Sequence, residues 1–314
     1  MKNEFTMKIL ILRFSSIGDI VLTTPVIRCL KKQLSNVEIH YATKNAFKGI
    51  LENNPYLDKV HVLSSSTSDL IQDLKQEKFD VVIDLHKNIR TQKIKWALGS
   101  TSYSFDKLNI RKWLFVNWKL KVMPEKHIVE RYLETVFALG IKNDNEGLDY
   151  FIPMNDIVNL DTLPKAFEKN GYATIAIGAQ HATKRLPETK LKELIDKISL
   201  PVLLLGGKED APMGDTLIDH FPDSKNILNV CGKYNLNQSA SLVEQSRYLY
   251  THDTGLMHIA AALKKRIVSI WGNTVPEFGM YPYKTEYVVW QVNDLPCRPC
   301  SKIGYNMCPK KHFK

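Results

Sequence analysis

Strand-like and helix-like patterns alternate along this chain in two successive arrays, and no other feature narrows its fold as much. In the first array, short apolar runs at Lys8–Phe14, Glu38–Ala42, Lys59–Leu63 and Phe79–Leu85 read as strands. Helical spacing lies between them near Ile20–Leu34, Ala46–Glu52 and Asp69–Glu77. Pro25 leaves two readings of the first helix. Either Thr24 caps a helix with Pro25 as its first residue, or a helix begun at Asp19 kinks there. Lys87–Lys126 has weak element signals and mixes Lys and Arg with Trp96, Trp113 and Trp118. A long helix is expected over Lys126–Leu139, stopped by Gly140. A polar stretch with Pro153 and Pro164 follows as a linker. The second array places strands at Tyr172–Ile177, Val202–Leu205, Arg247–Thr251 and Arg266–Trp271. Its helices fall at Glu188–Ile198, Ala211–Phe221, Gln238–Glu244 and Leu256–Leu263.

Two βα arrays predict two Rossmann-like α/β domains, with the carboxyl ends of their strands facing a cleft. The division expected is residues 1–160 and 161–314, with a closing C-terminal segment from about residue 291. In such domains chemistry gathers on the turns after the strands. The first turn, in "KILILRFSSIGDIVLTTPVIRCLKK" (Lys8–Lys32), carries a carboxylate, Asp19, directly after Gly18. An anion there repels phosphate, so this turn is not built to hold one.

Three turns of the second array differ. "GAQHATKRLPE" (Gly178–Glu188) offers Thr183, Lys184 and Arg185 ahead of a helix, the hydroxyl and cations that suit a diphosphate. "LLLGGKEDA" (Leu203–Ala211) presents Glu209 and Asp210, either as acceptors for ribose hydroxyls or as an acidic first helical turn. "YLYTHDTGLMHIAAALKK" (Tyr248–Lys265) sets Asp253, Thr254 and Gly255 between a strand and a helix. Thr254 and the following N–H groups suit an anion, and Asp253 suits sugar hydroxyls or a cap. His258 lies on the first turn of that helix.

The net charge is +10, which points to an acidic partner: nucleic acid, an anionic membrane or a phosphorylated substrate. There is no long Lys/Arg run and no zinc-finger or RNA-binding signature, so nucleic acid is not expected. The first apolar run, Ile9–Leu12, is short for a secretory signal and is followed by Arg13. No segment approaches the roughly 20 apolar residues of a membrane span. Five cysteines, two of them (Cys29 and Cys231) isolated, fit a reducing compartment better than a disulfide framework.

"SSIGDIVLTTPVIRCLKK", "GAQHATKRLPE" and "HDTGLMHIAAAL", in that order, resemble the lipopolysaccharide heptosyltransferase family, glycosyltransferase family 9. "DLHKNIRT" (Asp84–Thr91), "KHIVERYLETVFALGI" (Lys126–Ile141) and "CRPCSKIGYNMCP" resemble further segments of these enzymes. The resemblance implies a GT-B fold, with the acceptor on the N-terminal domain and a nucleotide-activated sugar on the C-terminal one. It implies inverting transfer of heptose from ADP-heptose to the inner core of lipopolysaccharide, at the cytoplasmic side of the inner membrane. On it, Asp19 would be the base that deprotonates the acceptor hydroxyl, a role compatible with helix capping, and Gly18 would allow a tight turn. Ser15, Gly18, Lys87 and Arg90 are assigned to the acceptor. Thr183, Lys184, Glu209, Asp210, Asp253, Thr254, Gly255 and His258 are assigned to the donor, with the ribose acid open between Glu209 and Asp210. Where the family often has Trp before the proline of the lysine loop, this chain has Leu186.

No DxD pair lies near these turns, so the expected enzyme needs neither metal nor cofactor and stabilises the leaving diphosphate with Lys184 and helix N-termini. The basic, aromatic segment Lys87–Lys126 would serve an anionic, lipid-linked saccharide acceptor at the membrane surface. Two other readings use the same turns: a GT-B enzyme with another nucleotide sugar, or a non-catalytic basic nucleotide-binding protein. Cys297, Cys300, Cys308 and His312 are spaced C-x₂-C-x₇-C-x₃-H, soft ligands for one Zn²⁺. The reading adopted is reduced thiols, packed as small apolar residues in a segment that crosses back to the first domain.

Overall fold

The computed structural model describes residues 6–222 and 226–311. The chain forms two compact units, each built on one parallel sheet. The first unit comprises Met1–Lys107 and Lys126–Phe151, the second Leu108–Glu125 and Ile152–Lys314.

In the first unit β1 (Met7–Leu12) leads to two short helices, α1 (Ile17–Val21) and α2 (Thr24–Gln33). Of the two readings of Pro25, the one with a separate capped helix is nearer, one residue earlier than expected: the chain breaks at Leu22–Thr23 and Thr23 is the N-cap of α2. The Thr23 hydroxyl donates to the Ile20 carbonyl at 2.6 Å and Thr24 to Val21 at 2.8 Å, and Pro25 is accepted as the second residue of α2. There follow β2 (Val37–Lys44), β3 (Lys59–Leu63), α3 (Thr67–Glu77), β4 (Val81–Asp84), α4 (Ile89–Leu98) and β5 (Thr101–Ser104). The next helix, α5 (Asn109–Trp118), belongs to the second unit, and α6 (Ile128–Leu133) returns to the first. The expected long helix is α6 continued by a 3₁₀ helix, Glu134–Leu139, and it ends at Gly140 with φ +78° as anticipated.

The first sheet has the order β3-β2-β1-β4-β5, all parallel. Ile9, Leu10, Ile11 and Leu12 of β1 are all fully buried, so both faces of the sheet are covered. Leu10, Leu12 and Phe14 pack with Leu70 and Leu74 of α3 and Ile94 of α4.

The second unit contains β6 (Ala173–Ala176), α7 (Glu188–Lys197), β7 (Val202–Leu205), α8 (Ala211–His220), β8 (Ile227–Asn229) and α9 (Leu236–Gln245). It closes with β9 (Tyr248–His252), α10 (Gly255–Ala262), β10 (Arg266–Trp271) and β11 (Tyr287–Gln291). Its parallel order, β11-β10-β9-β6-β7-β8, is that of a dinucleotide-binding sheet. Ile175, Leu204 and Leu194 share one core with Leu217, and Leu186 packs against it.

The boundary falls at Phe151/Ile152 rather than 160/161 for a local reason. Buried Arg28 of α2 holds Asp144, Asp149 and the Gly147 carbonyl, which ties residues 144–149 to the first unit. Asp156 instead accepts from Asn235 and Asn237, and Val158 N–H donates to Ser241, all on or beside α9.

Candidate active site

Each sheet reverses its strand order once, between β1 and β4 in the first unit and between β6 and β9 in the second. Loops leaving the carboxyl ends of such neighbours diverge and open a crevice, where open α/β sheets bind ligands. Asp84 pairs in register with Leu12, and Thr251 with Ala176, so the loops bearing the expected residues start at these two points.

In the first unit Arg13 organises the loop. Its guanidinium donates to the carbonyls of Ser15 (2.7 Å) and Leu85 (2.5 Å) and to the Tyr132 hydroxyl (3.0 Å), and it pairs with Asp19 at 2.6 Å. The other Asp19 oxygen accepts from the Ser16 hydroxyl at 2.7 Å and the Ser16 N–H at 3.2 Å, a capping arrangement at the start of α1. Asp19 therefore caps its helix and remains partly exposed. Burial pushes its carboxyl up, but Arg13 and the Ser16 bonds outweigh this and hold it below the ordinary value. Gly18 does not make the turn: it is buried inside α1, and Arg13–Ser16 supply the bend.

Asp84, buried at the end of β4, accepts from the N–H groups of His86 (3.0 Å) and Lys87 (2.7 Å) and pairs with Lys95 at 3.2 Å. Lys87 is thereby fixed in the left-handed region, with its side chain exposed. Arg90 is a packing cation, its guanidinium 5.4 Å from the centre of the Phe14 ring. His86 accepts from Phe14 N–H, and burial with Arg13 nearby lowers its pKa to about 4, so it is neutral. Burial and Arg13 also lower the pKa of Lys107. The result is two carboxylates, Asp19 and the buried Asp84, among the cations Arg13, Lys95 and Lys107.

In the second unit Lys184 and Asp253 meet. The ammonium donates to the Asp253 carboxylate at 2.6 Å and to its carbonyl at 3.0 Å, and Thr274 donates to the same carboxylate oxygen at 2.9 Å. Thr254 is the N-cap residue of α10 and makes no side-chain cap bond; Gly255 is the first helical residue. The N–H groups of that first turn lack helical partners, and the helix dipole favours an anion there. His258, on that first turn, is buried.

The two acids of the next turn separate. Asp210 is buried, accepts from Gly207 N–H at 2.9 Å and pairs with Arg185 at 3.3 Å. Glu209 is exposed. Thr183 is buried: its hydroxyl donates to the Tyr305 carbonyl at 3.1 Å and accepts from Tyr305 N–H at 2.8 Å, so it holds the closing segment.

That segment bonds inside the second unit. Lys119 donates to the carbonyls of Cys297 and Pro299, and Asn273 N–H to Thr183. The Cys297 and Cys300 sulfurs are 3.9 Å apart and form no disulfide, and burial with Cys297 nearby pushes Cys300 up to about 11. His312 lies outside the described residues.

Sequence reasoning missed Arg13 and Thr274. Arg13 lies near the end of an apolar strand run and so reads as its border; its place two residues before a Ser-Ser-x-Gly-Asp turn was the available signal. Thr274 follows β10, and nothing in its local sequence marks it.

Residues 67–311 match the model of a family described as glycosyltransferase family 9 (heptosyltransferase). A lipopolysaccharide heptosyltransferase 1 of Campylobacter coli is 26% identical over 294 residues, covering 85% of this chain and 84% of that protein. The structure of E. coli ADP-heptose LPS heptosyltransferase II aligns with a TM-score of 0.73 at 19% identity, covering 95% of this chain and 92% of that one. The E. coli heptosyltransferase WaaC with ADP aligns with a TM-score of 0.69 at 20% identity, covering 90% and 93%. The structural likenesses show the fold, the GT-B type with two parallel-sheet α/β domains.

Proposed function

The chain belongs to glycosyltransferase family 9, and on that premise we infer that it moves a heptose from ADP-heptose to the inner core of a lipopolysaccharide. The observation that carries the assignment of the donor site is the Lys184–Asp253 pair beside the start of α10. There a fixed cation and open helix N–H groups meet at the strand-order reversal, the combination a nucleoside diphosphate requires. Glu209 supplies the acid for the ribose.

Transfer is proposed to proceed by a single displacement with inversion. The acceptor hydroxyl gives its proton to the Asp19 carboxylate while its oxygen forms the bond to the anomeric carbon. The bond from that carbon to the diphosphate breaks, and ADP leaves with the electron pair. Arg13 keeps Asp19 ionised, so the base is ready without a prior proton loss. Charge developing on the leaving oxygen is met by Lys184 and by the α10 N-terminus. The cations Arg13, Lys87 and Lys107 suit an acidic acceptor sugar.

Metal-independent catalysis is part of the proposal. Among the described residues, the one group of three ligand-type side chains is His40, His61 and Glu77, within β2, β3 and α3 and not on these loops. Peripheral attachment to the inner membrane is also proposed. No described helix is long and apolar enough to cross a membrane, while α4 exposes Ile89 and Trp96 beside Lys87 and Lys93. The test is ADP release on mixing with ADP-heptose and a Kdo-containing lipid A acceptor. Turnover is expected with excess EDTA present. No ADP release would overturn the function, and activity lost to chelator and restored by Mg²⁺ or Mn²⁺ would overturn the metal-free chemistry.

A further inference from the structure

Leu108–Glu125 precedes the first unit's own α6 in sequence, yet it is built into the second unit. Its anchor is Phe115, buried edge-on against Phe278 at 5.8 Å and packed with Val275. The far end of α5 is fixed by Lys119, whose ammonium bonds the Cys297 and Pro299 carbonyls at 3.0 and 2.7 Å. The near end is joined by Lys302, which reaches the Asn109 carbonyl at 3.4 Å. Helix α5 and the closing segment therefore form one layer.

The exposed side chains of these two adjoining segments are unusual for a protein surface. Ile110 is 76% exposed, Trp118 63%, Ile303 63% and Met307 77%, and Trp113 leans edge-on against Trp118 at 5.4 Å. Single exposed apolar residues need no explanation, but a group of large ones does. The charge is equally one-sided. Residues 108–125 and 297–311 each carry four Lys or Arg, and Glu125 is the one acid between the two segments. Tryptophan and aliphatic tips ringed by lysines are the composition of an interfacial surface: the tips enter the headgroup region and the cations meet lipid phosphates. Single-stranded nucleic acid also takes basic and aromatic surfaces. Ile110, Ile303 and Met307 argue for lipid, because they stack on no base and are stabilised by an apolar medium.

We propose that α5 and the closing segment together form a docking surface for an anionic phospholipid bilayer. The inference rests on the reading of the acceptor as lipid-linked and adds where the chain meets the membrane. It is tested by flotation of the full chain with phosphatidylcholine vesicles, with and without phosphatidylglycerol. Binding to the anionic vesicles alone is expected, weakening as salt rises. Trp113→Asp with Trp118→Asp should lower partitioning about tenfold or more. Lys310→Glu with Lys311→Glu, which leaves the apolar tips in place, should cost about fivefold for each charge. Turnover of the Lys310→Glu/Lys311→Glu variant with a water-soluble acceptor sugar should stay within about twofold of the parent, and a circular dichroism spectrum matching the parent's shows that the tryptophan variant is folded. A parent without turnover on that sugar would sink the proposed function and leave the vesicle result standing. Equal binding by parent and both variants, or binding indifferent to phosphatidylglycerol, would overturn the docking surface. So would retention of single-stranded RNA at matched salt that the tryptophan variants abolish alongside vesicle binding.

Discussion

A carboxylate that serves as a base must be ionised before it can accept a proton, and Asp19 is held that way by Arg13. Asp19→Asn preserves the shape and the Ser16 bond to one oxygen but removes the proton acceptor. Its kcat is expected to fall by about 10²–10⁴, with ADP affinity unchanged by titration calorimetry. Turnover within a factor of two of the parent would remove Asp19 from the chemistry. The pH dependence has a definite sign. The folded carboxyl lies below its ordinary value, so the base is present above that lowered value and is lost as pH falls through it. Any stability the ion pair adds behaves alike: it is full above the ordinary carboxylate value and disappears as pH falls through the folded one. Arg13→Gln should therefore move the acidic limb of kcat/KM upward. Lys184→Ala should weaken ADP binding about tenfold to a hundredfold, the worth of a charge-assisted contact; unchanged affinity would show that this loop does not hold the phosphates. Asp19, Lys184 and Asp253 were legible in the sequence because each ends a recognisable strand–turn–helix. Arg13 was not, because its role depends on Leu85 and Tyr132, which only the folded chain brings to it.

At the scale of elements, the central strands were readable because burial on both faces demands unbroken apolar runs, as in Ile9–Leu12 and Val202–Leu205. The edge strands β5, β8 and β11 were not. Such strands need little apolar content; Tyr287, Val288 and Trp290 of β11 face water, and Thr101–Ser104 is polar. Helices α4 and α5 escaped for the reverse reason, since Ile89, Trp96 and Ile110 point outward and blur the periodicity. Close approach between turns was equally invisible. A Cβ on Gly178, after β6, would lie 2.0 Å from the Asp210 carboxylate, which caps the turn after β7. Gly178→Ala is thus expected to cost about 1–3 kcal/mol in urea unfolding, as other overpacked sites do. In an Asp210→Ala background most of that cost should vanish, because the two positions share one space. An equal cost in both backgrounds would place the strain elsewhere.

The whole molecule is not two consecutive domains laid end to end. The chain leaves the first unit after Lys107, builds α5 into the second and returns at Lys126. A linear division at residue 160 misses this, because nothing local in Leu108–Glu125 announces that Phe115 will pack on Val275 and Phe278. The arrangement makes a residue from the first half of the sequence a determinant of the second unit's stability. Phe115→Ala removes a buried ring from a small satellite core, a change that costs about 3–5 kcal/mol where the site collapses poorly. In a unit of this size, that amounts to roughly 6–20 °C in Tm. Two units unfold as separate transitions when neither depends on the other, and calorimetry resolves them. The transition that ADP raises identifies the unit holding the donor site, since a ligand stabilises only what it binds. In Phe115→Ala that ADP-sensitive transition is expected to move down while the other stays in place. A shift confined to the ADP-insensitive transition would mean that Leu108–Glu125 stabilises the first unit instead. No shift in either would mean that the ring contributes nothing where it lies.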